Sequence, residues 1–317
     1  MEVLKKNPSE NFSFDVFIPV APKDYLTINL CLDFIYKNLS PRKIIVVSNI
    51  EIKNYLINKE YIITYDEDNL IDGISSYSIK KIIKTITGSE ARSNWYFQQF
   101  LKMAYAFMAE TEHYLIWDSD TFPLNNITFI DTVDKQKNCL RYFFAMKKEY
   151  HLPYFEIINK IFDGKVIRSI NKSFIAEHML IDKSIMIEMI HDIENNNNLS
   201  GKKFYEKILY SIDKKEVGNS GFSEFETYGN YLLTYYPNKF SARKLRTFRY
   251  GFSHLNKSDL NLKTLNWISS SYDTISFEEH YKGDRPNAFN YKMPYRFFIK
   301  YKIIPFKLFK IIIKRKK

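Results

Sequence analysis

Short, wholly apolar runs and longer segments of mixed polarity alternate through the first third of this chain. Phe14–Val20 (FDVFIPV), Lys43–Ser48 (KIIVVS) and Tyr61–Tyr65 (YIITY) are runs of strand length that read as buried strands. Between the first two, Asp24–Leu39 sets Leu26, Leu30 and Phe34 at near-helical spacing, which predicts a helix. Residues 92–110 predict an amphipathic helix, and Tyr114–Trp117 a further buried strand. Apolar strands alternating with helices predict an α/β fold with a parallel sheet, whose ligands gather at the strands' carboxyl ends. Past residue 140 the rhythm changes. Leu140–Met146 and Ser173–Ile181 read as strands, Lys183–Glu194 and residues 202–213 and 223–235 as helices, and Asn195–Gly201 (NNNNLSG) as a polar loop. No internal repeat is evident. One catalytic domain over residues 1–285 is expected, followed by a basic tail over 286–317.

Composition narrows the classes. At 317 residues, 45% apolar and 17% aromatic, the chain can bury a full core. Its net charge of +11 is unevenly placed: residues 285–317 hold eleven Lys and Arg and no acid, leaving 36 of 47 bases to balance 36 acids. A formally neutral body argues against nucleic-acid binding. Cys31 and Cys139 sit in apolar surroundings without metal-ligand spacing, so buried thiols in a reducing compartment are expected. The N-terminal stretch lacks the apolar core of a signal peptide, and no run of about 20 uncharged apolar residues spans a membrane. Dinucleotide, Walker, nucleophile-elbow and zinc signatures are absent.

The chemistry concentrates where the fourth apolar run ends, at Trp117-Asp118-Ser119-Asp120-Thr121. Alternate residues of an extended chain share a face, so Asp118 and Asp120 can address one cation. Oxygen ligands beside a diphosphate suit Mn²⁺ or Mg²⁺. The same two acids can equally be a turn or a cap. Upstream, Arg92, Trp95, Gln99 and Lys102 fall within about a third of a helix circumference, offering cations and an amide. Downstream, Ser223 with Glu226 three residues on makes a capping box, and Glu224 opens the same helix.

Two enzyme families are resembled. Asp118-Ser119-Asp120-Thr121 resembles the signature of haloacid-dehalogenase-type phosphatases, in which the first Asp is nucleophile and the second general acid. Here about one hundred residues precede it, and Gly283-Asp284 is not followed by a second acid. A broader resemblance, over most of residues 14–255, is to bacterial glycosyltransferases of the GT-A type that build capsule or lipopolysaccharide. It rests on Pro19-Val20-Ala21-Pro22-Lys23-Asp24, on the Arg92-to-Lys102 pattern, on Trp117-Asp118-Ser119-Asp120, and on Gly221 to Tyr231. The resemblance implies a Rossmann-type mixed sheet flanked by helices and metal-dependent transfer from a nucleotide sugar, UDP by family habit, to a glycan or lipid-linked acceptor. It implies nucleotide contacts from Pro19, Val20, Ala21, Asp24, Arg92, Trp95, Gln99, Lys102, Trp117 and Ser119. Asp118 and Asp120 would bind the cation, with His254 as third ligand, and His178 would touch acceptor or sugar. Glu224, with Glu226 second, would be the general base of an inverting reaction.

The tail has its own pattern. Arg296, Lys300, Lys307, Lys310 and Lys314 form a basic stripe on a helix, opposite Phe297, Tyr301, Ile304, Leu308, Ile311 and Ile312. Such a helix would lie on an anionic membrane surface, or pack its apolar side on the body. Attachment to the inner face of the cytoplasmic membrane is expected. A non-enzymatic membrane-surface adaptor, with the acidic pair as a plain turn, is the third class.

Overall fold

A computed structural model describes residues 12–131, 140–148, 150–253, 255 and 260–278. Cys139, His254, Gly283-Asp284 and the tail therefore lie outside the described residues.

The chain opens with β1 (Asp15–Pro19), α1 (Ile28–Leu39), β2 (Ile44–Ser48) and β3 (Ile62–Asp66). There follow α2 (Ser76–Thr87), α3 (Ser93–Ala104), β4 (His113–Trp117), β5 (Thr121–Pro123) and β6 (Ile130–Asp131). The next elements are β7 (Arg141–Ala145), α4 (Leu152–Ile161), β8 (His178–Asp182), α5 (Lys183–Asn195) and α6 (Phe204–Ser211). Last come α7 (Lys214–Val217), α8 (Glu224–Tyr235), β9 (Phe240–Arg243), β10 (Thr247–Phe248), α9 (Leu262–Ser269) and β11 (Thr274–Ser276).

Five strands form the main sheet in the order β3-β2-β1-β4-β8. The first four run parallel, and β1, β2 and β4 are buried at every position, as strands covered on both faces must be. β8 runs antiparallel to β4, with Trp117 opposite His178, so the sheet is mixed. The described residues also form two three-stranded sheets, β10-β11-β5 and β6-β7-β9. Val16, Phe17, Ile35, Leu101, Leu115 and Met186 belong to one continuous apolar core.

The topology sets the carboxyl ends of β1 and β4 side by side, which places the site. Three expectations change around it. The helix expected from Asp24 begins at Ile28; Pro22 starts a separate 3₁₀ turn at Pro22–Asp24, and Leu26 is 88% exposed rather than in the core stripe. The helix expected over 92–110 ends at Ala104 and tightens into a 3₁₀ turn at Tyr105–Phe107. The strand expected over Ser173–Ile181 is regular only from His178, because the Phe174 N–H bonds to a Glu226 carboxylate oxygen at 3.1 Å instead of a neighbouring strand.

Candidate functional site

Backbone contacts from three directions fix the acidic turn after β4. The Asp118 N–H donates to the Glu177 carbonyl at 3.0 Å, extending the β4–β8 ladder by one residue. The Thr121 N–H donates to the Asp118 carbonyl at 3.0 Å, and the Phe277 N–H to the Asp120 carbonyl at 2.9 Å. Beneath the turn, the fully buried Trp117 donates its indole N–H to the Thr121 carbonyl at 2.7 Å. Ser119 points away from the cleft and donates to Asp24 at 2.8 Å, tying the loop after β1 to the turn after β4. These contacts hold the turn while the Asp118 and Asp120 side chains line the open side.

That side is a cleft of about 640 Å³. Asp118 and Asp120 form one wall with Lys23, and α3 contributes Arg92, Trp95, Gln99 and Lys102. The N-terminus of α8 brings Ser223, Glu224 and Phe225 from the far side. Lys102 joins the walls: its Nζ donates to Asp118 Oδ1 at 2.9 Å and to Glu224 Oε1 at 3.1 Å. Burial disfavours its charge, but the two carboxylates outweigh that and hold the ammonium well above its ordinary pKa. The Glu224 N–H donates to Gln99 Oε1 at 3.0 Å, which fixes the orientation of the Gln99 amide. The Gln99 Nε2 is then buried with no hydrogen-bond partner among the described residues, an unspent donor in the cleft wall.

Charge is unbalanced at Asp120. Burial first, then the neighbouring Asp118 and Asp24, push its carboxyl up to about 7, and Lys23 at 4.0 Å compensates only in part. Asp120, crowded by two carboxylates and with Lys23 no nearer than 4.0 Å, is suited to share a cation with Asp118. Among the described residues no three His, Cys, Asp or Glu side chains group to hold a metal ion. Two carboxylates fit the usual pattern for Mg²⁺, which takes one or two of them and completes its shell with water and substrate phosphates. Asp118 and Asp120 would hold such an ion.

At the entrance of α3, Arg92 adopts a left-handed conformation (φ 67°), uncommon for a side-chain-bearing residue. Its guanidinium lies 5.2 Å from the Trp95 ring centroid and bonds to Ser220 at 2.9 Å, joining α3 to the segment before α8. On another rim, Arg249 bonds Glu278 at 2.7 Å and lies 3.0 Å from Glu177. Burial works against the Glu177 charge, but Lys147 and Arg249 outweigh it and lower its pKa.

Seven expected residues thus share the cleft: Arg92, Trp95, Gln99, Lys102, Asp118, Asp120 and Glu224. Others stand behind it. Pro19 and Val20 are buried at the end of β1, with the Val20 carbonyl accepting from Ser48 at 2.6 Å; neither they, Ala21 nor Asp24 lines the cleft. Trp117 and Ser119 are supports of the turn. His178 stacks on Trp117 with centroids 4.7 Å apart, away from the opening. Burial, reinforced by Arg243, lowers its pKa to about 3, so it is neutral. Glu226 is 1% exposed and bonds Ser173, the Phe174 N–H and Asn230. Its backbone N–H meets the Ser223 cap at 3.2 Å, but its side chain does not return the bond, so only half of the expected capping box forms. His254 lies outside the described residues.

Lys23, Tyr154, Glu177, Ser220, Arg249 and Glu278 line the cleft without having been singled out from sequence. Lys23 sits inside the loop after β1, and Glu177 beside His178. The others carry no local signal, since the fold alone brings them in.

No curated protein matches the sequence. Among solved structures the chain is similar to the bifunctional glycosyltransferase WbbM in its apo form, at 11% identity and TM-score 0.41, over 86% of this chain and 46% of that one. It therefore spans less than half of WbbM. It is similar to the galactosyltransferase LgtC in complex with donor and acceptor sugar analogs, at 8% identity and TM-score 0.39, over 83% of this chain and 87% of that one. It is also similar to mouse xyloside xylosyltransferase 1 in its apo form, at 12% identity and TM-score 0.40, over 85% of this chain and 99% of that one. Likeness at this level speaks to neither substrate nor reaction. A family model matches residues 33–290, a span holding every cleft residue except Lys23, and the chain belongs to that family, a family of unknown function (DUF6492).

Proposed function

We propose that this protein is a divalent-cation-dependent glycosyltransferase moving a sugar from a nucleoside-diphosphate donor to a hydroxyl of a glycan acceptor. One observation carries the reading: Asp118 and Asp120, at the carboxyl end of a parallel strand, face Glu224 at a helix N-terminus across a cleft also lined by cations. Strand ends of an open α/β sheet are where nucleotides dock, and crowded carboxylates there supply what a cation–diphosphate pair needs.

In this reading Asp118 and Asp120 hold Mn²⁺ or Mg²⁺, which when bound offsets charge building on the departing nucleoside diphosphate. Lys23 and Arg92 add positive charge around the phosphates, Trp95 offers a flat apolar face, and the Gln99 amide donates to a donor oxygen. Glu224 sits where the α8 dipole favours an anion and takes the proton of the acceptor hydroxyl as that oxygen attacks the sugar carbon. Attack from the face opposite the leaving group inverts the configuration. Uridine as the base, a bacterial surface glycan as acceptor and an anionic membrane surface as the workplace complete the proposal. Those three rest on the sequence resemblance and the basic tail; no described helix is long and apolar enough to cross a membrane.

The test is incubation with a panel of nucleotide sugars and Mn²⁺, in parallel with phosphomonoesters. Release of nucleoside diphosphate that stops with EDTA is expected. Turnover of phosphomonoesters alone would make the acidic pair a phosphatase site, and silence in both arms would leave an adaptor.

A further inference from the structure

One of the two carboxylate oxygens of Asp118 is already engaged by an ammonium. Lys102 Nζ lies 2.9 Å from Asp118 Oδ1 and 3.1 Å from Glu224 Oε1, and its side chain is 10% exposed. The ammonium rises from the buried face of α3, with the Phe225 ring 5.1 Å away. Asp118 is the more open partner, at 36% against 7% for Glu224. Granting Asp118 and Asp120 the cation-binding role proposed above, we infer that Lys102 is the resident counter-ion of the donor-free cleft and makes divalent-cation binding conditional on the donor's diphosphate.

The physics is a competition for one carboxylate. A divalent ion arriving alone must displace the ammonium from Asp118 or sit beside it, and like charges at contact range in a half-buried site repel strongly. A nucleoside diphosphate arriving with the ion brings negative charge that screens this repulsion and gives the ammonium a new partner. Lys102 then keeps Glu224 and turns its free donors to phosphate oxygen. Cation and nucleotide enter together, and Asp118 is not left to collect stray divalent ions. Glu224 also stays paired while no donor is present, so Lys102 positions the candidate base as well as guarding the cation site.

The two partners of Lys102 make the inference testable with opposite signs. Binding of Mn²⁺ alone and of Mn²⁺ at saturating UDP is measured on the full chain by titration calorimetry and Mn²⁺ electron paramagnetic resonance, with no turnover required. Lys102→Met should tighten Mn²⁺ alone by about tenfold or more and shrink the gain that UDP confers. Glu224→Gln, a near-isosteric change, leaves Asp118 as the sole anionic partner of Lys102 and should weaken Mn²⁺ alone by about threefold. Arg92→Met removes a cleft cation that touches neither Asp118 nor Glu224 and should move Mn²⁺ alone by less than about twofold. A Lys102→Met affinity equal to that of wild type or of Arg92→Met overturns the inference, as does tighter binding in Glu224→Gln. Asp118→Asn separates the levels. If it keeps wild-type Mn²⁺ binding with UDP, the cation-site reading fails; if it abolishes binding while Lys102→Met changes nothing, only the counter-ion role fails.

Discussion

Glu224 and Glu226 stand two residues apart on one helix, and the structure gives them opposite natures that a pair of substitutions separates. Glu226 is 1% exposed, and its carboxylate accepts from the Ser173 hydroxyl, the Phe174 N–H at 3.1 Å and Asn230 Nδ2 at 3.2 Å. Glu226→Ala leaves a buried backbone N–H and a buried hydroxyl without acceptors, at about 1–3 kcal/mol each. With the small cavity added, a loss of about 3–5 kcal/mol is expected. Glu224→Gln keeps an oxygen at Oε1, and Lys102 retains Asp118, so no buried charge is orphaned and the loss should stay below about 1 kcal/mol. On the roles proposed above, rates divide the other way. Removing a general base costs about 10²–10⁴-fold in turnover, whereas the fraction of Glu226→Ala that is folded should transfer sugar at near the wild-type rate. Urea denaturation and turnover per folded molecule, measured on both variants, decide it. A stable Glu226→Ala with lost turnover, or an active Glu224→Gln, would refute the assignment of roles.

Two further outcomes test the scaffold. Asp182 ends β8 and caps α5, and burial of its carboxylate is outweighed by Lys239 at 2.7 Å, Ser184 and Tyr142, which take its pKa from 3.8 to about 2. A depressed pKa means stability present above pH 3.8 and lost as pH falls through 2, so Asp182→Asn should cost about 2 kcal/mol at pH 7. In acid titrations of stability the gap to wild type should close below pH 2; a gap constant with pH would refute the linkage. Gly229 lies inside α8, where an added Cβ would overlap the Phe174 ring. Gly229→Ala should therefore destabilise by about 1–3 kcal/mol despite the better helix propensity of Ala, and a stabilised variant in thermal melts would contradict the packing.

The sheet was legible because β1, β2 and β4 are buried on both faces and so read as apolar runs, and edge strand β3, though half-buried, keeps the same composition. The expected strands after Phe14, Lys43, Tyr61 and Tyr114 lie within one residue of β1, β2, β3 and β4 at their starts. Strands that owe their pairing to distant partners were not legible. Three-residue β5 and β11 pair across more than 150 positions, and Thr121 bonds Ser276 at 2.8 Å, with no local periodicity to announce them. In the site, the α3 stripe was readable because helical spacing gathers Arg92, Trp95, Gln99 and Lys102, but spacing could not say that Lys102 would be claimed by carboxylates. Nor could it separate Glu224 from Glu226: two residues along a helix turn the side chain by about 200°, putting one in the cleft and the other in the core. His178 and Trp117 illustrate the same limit, since a polar ring beside an acidic motif looks functional until its partner strand stacks it on the indole.

The proposed function stands or falls on two carboxylates at the tip of β4 holding a cation which in turn holds a nucleoside diphosphate. Calorimetric titration of UDP into the protein with Mn²⁺, with EDTA, and with Asp118→Asn and Asp120→Asn in place of wild type decides it. Binding should weaken by about tenfold or more with EDTA and in both variants. Equal UDP affinity in all four titrations would contradict it.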